Sequence, residues 1–119
     1  MSASRAKGTA YESHVLETYL KPIWPNADRA PQKGIKDFGD FVGMSYLIEA
    51  KKRDRWDLPE WIRGILRKVQ RHPTAPWVLV FAADKRGPIP MDLVCMPAEQ
   101  YFHQLRRLTQ LEQQQREAA

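Results

Sequence analysis

Apolar residues recur along the chain at spacings that switch from helical to extended and back. Val15, Leu16, Tyr19 and Leu20 share one helical face and predict a first helix over about residues 4–20. Pro22 stops it by removing a backbone donor and biasing Lys21 away from the helical conformation. Glu12 falls three and four residues before Val15 and Leu16, so a carboxylate stands in line with core positions. Pro22, Pro25, Pro31 and Gly34 then make residues 21–37 a loop, with one short strand near 27–30. Phe41-Val42 and Tyr46-Leu47-Ile48 are β-formers on either side of Gly43-Met44-Ser45, which predicts a hairpin whose second strand covers 46–52.

The second half repeats the alternation. Leu58, Trp61, Ile62, Ile65, Leu66 and Val69 follow the spacing of an amphipathic helix, with Asp57 as N-cap and Pro59 and Glu60 in the first turn. Its opposite face carries Arg63, Arg67, Lys68 and Arg71. Residues 77–83 are too continuously apolar for an alternating surface strand and too short for a typical helix, so they predict a buried central strand. A strand over 91–96 follows the Gly87-Pro88 turn, and Pro97 opens a last helix with Tyr101, Phe102, Leu105 and Leu108 on one face. The order of elements predicts a single α/β domain, a mixed central sheet flanked by helices, over residues 1–109. The glutamine-rich residues 110–119 are expected to be a polar tail, a frayed helix or disordered.

The chain has 119 residues, enough for one core without disulfides, since a chain of this size buries roughly two thirds of its unfolded surface. Cys95 is the single cysteine, which excludes an intramolecular disulfide framework and a cysteine-based zinc knuckle. The apolar run at 77–83 is too short to span a bilayer, and the first eight residues contain no apolar stretch of the kind a signal peptide needs; a cytoplasmic protein without a membrane partner is expected. The net charge is +5, and its placement is uneven: residues 1–72 hold 14 basic and 9 acidic side chains, residues 73–119 five of each. A basic, aromatic-containing first part suits a ligand with a phosphate backbone, and suits a merely solvated surface equally well.

The candidate chemistry lies in that first part. Side chains alternate along a strand, so Glu49 and Lys51 share a face while Ala50 points to the other. Pairing across the Gly43 turn would set Asp40 beside Glu49, giving two carboxylates next to one ammonium. Two such carboxylates repel unless a cation lies between them, and oxygen donors suit Mg²⁺ or Mn²⁺ better than zinc. The Ala50 carbonyl would add a main-chain ligand and Glu12 a third carboxylate from the opposite wall. Metal-assisted hydrolysis of a phosphodiester, with Lys51 at the reacting phosphate, is the reaction such a set serves. Arg5, Lys7, Lys33, Lys36, Lys52, Arg53 and Arg55 would line a path for phosphates on either side of the site, with Ser45 beside them. His14, His72 and His103 lack ligand spacing. Trp61 belongs to the core or to an interface, and Asp37 is a turn former rather than a rival ligand.

The segments Arg5-Ala-Lys7-Gly8-Thr9-Ala10-Tyr11-Glu12, Asp37-Phe38-Gly39-Asp40-Phe41-Val42-Gly43 and Ile48-Glu49-Ala50-Lys51 together resemble the archaeal-type Holliday junction resolvases and their phage and actinobacterial relatives, within the PD-(D/E)XK nuclease superfamily. The likeness spans about residues 5–105. It implies a restriction-endonuclease-like core and a Mg²⁺-dependent homodimeric endonuclease acting on branched DNA. Glu12 matches the helix acid, Asp40 and Glu49 the two metal ligands, and Lys51 the motif lysine. Gly39 departs from the pattern, standing where the superfamily's name has proline. Two other readings compete: a non-catalytic DNA-binding protein using the same basic surface, and a nuclease of the same superfamily that cuts linear duplex or flap DNA.

Overall fold

A computed structural model describes residues 3–31, 39–83 and 91–119, with side chains from residue 8 onward in the first stretch. Helix α1 (Ala3–Val15) runs on into a wider π-helical turn, Leu16–Leu20, which ends as Lys21 N–H donates to Leu16 O at 3.0 Å just before Pro22. Tyr11, Val15, Leu16 and Leu20 form its buried stripe; Tyr19, expected there, is exposed because its hydroxyl reaches Asp92. Strand β1 (Asp28–Arg29) lies within the short strand expected in the proline-rich loop, and β2 (Phe41–Val42) pairs with it antiparallel. Three strands form the main sheet in the order β3 (Leu47–Lys51), β4 (Trp77–Ala82) and β5 (Asp92–Cys95). β3 and β4 are parallel, joined through helix α2 (Leu58–Val69), while β4 and β5 are antiparallel. The result is a small α/β domain with a mixed sheet flanked by helices. Among the described residues, no helix is long and apolar enough to cross a membrane.

β4 is apolar throughout because it is the middle strand and both its faces are covered. Val78 and Val80 pack with Tyr11, Val15 and Ile48 on the α1 side, whereas Leu79 and Phe81 pack with Leu47, Trp61 and Ile65 on the α2 side. Phe41, Leu47, Ile65, Leu79 and Val15 are the largest wholly buried side chains. Each stabilises the fold by about 1.5–3 kcal/mol relative to an exposed position. Trp61 belongs to this core. α2 begins where Asp57 caps it, its carboxylate accepting the Glu60 amide at 3.3 Å.

One expectation is corrected. The hairpin across Gly43 does not form: β2 turns away to β1, and the chain meets β3 instead through a parallel bridge between Gly39 and Ile48. Gly43 has φ +84°, and a Cβ there would lie 2.4 Å from the Asn26 carbonyl, so its backbone is committed to the β1 loop rather than to a reversal onto β3. The polar tail, expected as a frayed helix or disordered, is helical. Helix α3 runs Ala98–Ala118, through residues 110–118, and buries none of its residues. Its apolar face is exposed, and its recorded side-chain ties to the sheet are polar. Gln100 bonds the Trp77 amide and carbonyl at 3.1 and 2.9 Å, and Gln104 donates to the Tyr46 hydroxyl at 2.8 Å.

Candidate active site

The alternation of β3 decides where each candidate group points. Leu47 N–H donates toward β4, to the Pro76 carbonyl at 2.9 Å, so the main-chain groups of Ile48 and Ala50 face the opposite edge of the strand. Asp40 occupies that edge. Its amide donates to the Ile48 carbonyl at 2.9 Å and its carboxylate Oδ2 accepts the Ala50 amide at 2.8 Å. The Ala50 carbonyl points to the same edge. Gly39 makes this approach possible: at φ +81°, with only 2.6 Å between the site of an added Cβ and the Ile48 carbonyl, it admits no side chain. A proline at this position is excluded as well, because its ring fixes φ near −65°.

Glu49 projects from β3 toward α2 and is the one buried charged side chain among the described residues, 4% exposed. Lys68 Nζ donates to its Oε1. Burial, and then the neighbouring charge of Asp40, push the Glu49 carboxyl up to about 7 from its ordinary 4.5, against the opposing pull of Lys68 and Lys51. Lys51, half-buried at the end of β3, makes no ion pair among the described residues; its ammonium acts through space on both Glu49 and Glu12. Glu12 stands on α1, which packs on the other face of β3, and its Oε2 accepts from Arg29 Nε at 3.1 Å. Burial and then Asp40 raise its pKa, while Arg29 and Lys51 lower it.

Asp40 is therefore the meeting point: its charge is felt by Glu49 on one side of the strand and by Glu12 on the other. The three acids do not close into one cluster. Among the described residues, no group of three or more His, Cys, Asp or Glu side chains is placed to hold a metal ion. What remains is a pair, Asp40 and Glu49, with the Ala50 carbonyl on their edge. Donors of this chemistry, two carboxylates and a carbonyl, are those a hard divalent ion takes, since Mg²⁺ commonly binds through only one or two carboxylates and completes its shell with water and phosphate oxygens. A buried carboxylate pressed by a like charge is also what a cation would relieve.

The expected DNA-contacting residues fall into two groups. Lys52, Arg53 and Arg55 follow directly from β3, Arg53 and Arg55 exposed, with Arg53 Nη1 donating to the Lys52 carbonyl at 3.1 Å. Ser45 is exposed in the bend before β3. The side chains of Arg5 and Lys7, and Lys33, Lys36 and Asp37 entirely, lie outside the described residues, as does the Gly87-Pro88 turn.

Lys68 is the residue the sequence reading misplaces. It sits three residues after Ile65 and seven after Trp61, which puts it on the buried face of α2 rather than among the outer charges. On that outer face, Arg63 and Arg67 instead bind Glu60, at 3.1 and 3.5 Å. The spacing carried the signal; grouping Lys68 with its charged neighbours hid it. A second polar cluster was also missed. Asp92 accepts from Tyr11 and Tyr19 hydroxyls at 2.7 Å each and lies 2.8 Å from His14 Nε2. Burial raises its pKa, but these partners outweigh it and hold Asp92 below the usual carboxylate value. The cluster clips α1 to β5. Beside it, an apolar groove of about 420 Å³ between Trp24, Val94 and Met96 contains none of the candidate acids.

No family model, curated protein or solved structure matches the chain.

Proposed function

We propose that the chain is a divalent-cation-dependent endodeoxyribonuclease that cuts branched DNA, with four-way junctions as substrate and a restriction-endonuclease-like core, like the resolvases its motifs resemble. The observation that carries this reading is the seating of Asp40 on the edge of the strand that bears Glu49 and Lys51. Asp40, Glu49 and the Ala50 carbonyl are the residues that would hold Mg²⁺ or Mn²⁺, with Glu12 acting from across the strand. When bound, such an ion supplies Lewis-acid polarisation of a phosphoryl oxygen and a more acidic water. Lys51 offsets the charge that grows on the reacting phosphate, and its lack of an ion-pair partner among the described residues leaves its ammonium available for that. Lys52, Arg53, Arg55 and Ser45 position the phosphates on either side, joined by Arg5, Lys7, Lys33 and Lys36. A twofold homodimer would present two such sites to the two strands of a symmetric junction. The setting is cytoplasmic.

Nicking of an end-labelled synthetic four-way junction in Mg²⁺ tests this reading: cutting that disappears with EDTA and in Asp40→Asn supports it. Equal cutting of linear duplex would remove the junction preference and keep the nuclease. A second reading, a DNA-binding protein without catalysis, draws on the Lys68–Glu49 pair, which already neutralises one of the two acids. Tight junction binding with no cleavage in Mg²⁺ or Mn²⁺ would establish it.

A further inference from the structure

We infer that Lys68 is the resident counter-ion of the acid pair, and that a divalent cation enters the site only by displacing its ammonium from Glu49. The inference rests on the metal-site reading of Asp40 and Glu49 given above. Lys68 Nζ donates to Glu49 Oε1, so one oxygen of the buried ligand is already engaged by a cation. Asp40 Oδ2 is likewise engaged, by the Ala50 amide. A hard cation bridging the two acids needs oxygens carrying full negative charge, and the oxygen nearest α2 is the one the ammonium covers. Geometry gives Lys68 somewhere to go. Its side chain is about a third exposed while Glu49 is buried, so the long aliphatic stem can swing the ammonium outward while the carboxylate stays. An arginine could not retreat so readily, because its planar fork holds a carboxylate by two bonds.

Lys68 is thus a positioning residue: in the absence of metal it keeps two like charges together in the fold, and it sets how much metal is needed to replace it. The site then discriminates against weakly held or scarce cations without any additional ligand.

Mn²⁺ binding to the full chain, followed by the loss of the free-ion electron paramagnetic resonance signal at pH 8.5, tests this. Lys68→Met keeps the stem and removes the charge, and is expected to bind Mn²⁺ at least about fivefold more tightly than the parent. Lys68→Arg is expected to bind more weakly than the parent, and Asp40→Asn in either background to abolish binding. Lys68→Gln serves in place of the methionine variant if that one fails to fold by circular dichroism. Unchanged or weaker binding in the neutral variants, with Asp40 still required, would overturn the displacement role while leaving the metal site standing. No Asp40-dependent binding in any variant would overturn the metal reading itself, and the inference with it.

Discussion

Asp40 is held against Ala50 by a 2.8 Å bond from the strand amide to the carboxylate, ten residues along the chain. One contact therefore does two things: it satisfies an edge amide of β3, and it brings a negative charge up to the strand that carries Glu49 and Lys51. Structure and proposed chemistry share the same carboxylate.

Substitutions at Asp40 should separate those roles. Asp40→Asn keeps an acceptor for the Ala50 amide and loses the charge, so its stability should stay within about 1 kcal/mol of the parent while junction nicking falls by roughly 10²-fold or more. Asp40→Ala loses the acceptor too and should cost about 1–3 kcal/mol in urea denaturation, as an amide is left unpaired.

Lys51→Ala should leave junction binding within a few fold of the parent, measured by gel shift, while abolishing turnover. The role proposed for its side chain is at the reacting phosphate, a step that follows binding. Loss of the folded state in this variant would assign Lys51 a structural role instead.

Metal-free stability should fall as pH rises from about 4.5 to about 7. Glu49 is raised to about 7 from 4.5, so between those values the folded chain holds a proton that the unfolded chain has released, and deprotonation on passing through 7 removes that advantage. Glu12, also raised, acts in the same direction. Thermal melts in EDTA should show Glu49→Gln gaining on the parent across this window, by on the order of 1–3 kcal/mol. A flat difference would mean that Glu49 is ionised at its ordinary pKa.

A proline at position 39 should harm this chain. Gly39 has φ +81°, out of reach of a proline ring, so Gly39→Pro must pull Asp40 away from β3. A loss on the order of 1–3 kcal/mol, together with loss of nicking, is expected; full activity would refute the seating of Asp40 described here.

The outer half of α3 buries nothing, so deleting residues 110–119 should shift the melting temperature of the isolated chain by only about 2 °C or less.

Much of this fold is legible in the sequence because periodicity reports burial. The stripe from Leu58 to Val69 gives α2 at its observed bounds, and the unbroken run after Pro76 gives the central strand. What periodicity does not report is which surfaces meet. The hairpin across Gly43 is locally plausible, yet the close approach of Gly43 to Asn26, seventeen residues earlier, and the bridge of Gly39 to Ile48 decide the pairing, and neither is written in local β propensity. The acid pair could be proposed from Asp40, Glu49 and Lys51 alone, whereas the position of Glu12 across the strand from Glu49 follows only once α1 and α2 are known to cover opposite faces. In α3, the stripe of Tyr101, Leu105 and Leu108 has the right spacing for a buried face and is exposed, since its inner contacts are made by Gln100 and Gln104.

Crystals of the chain soaked in Mn²⁺ and measured for anomalous scattering test the central claim most directly. An anomalous peak within coordination distance of both the Asp40 and Glu49 carboxylates, absent from Asp40→Asn crystals, is the predicted result. Saturating Mn²⁺ with no peak between these two side chains, and Lys68 still seated on Glu49, would contradict it.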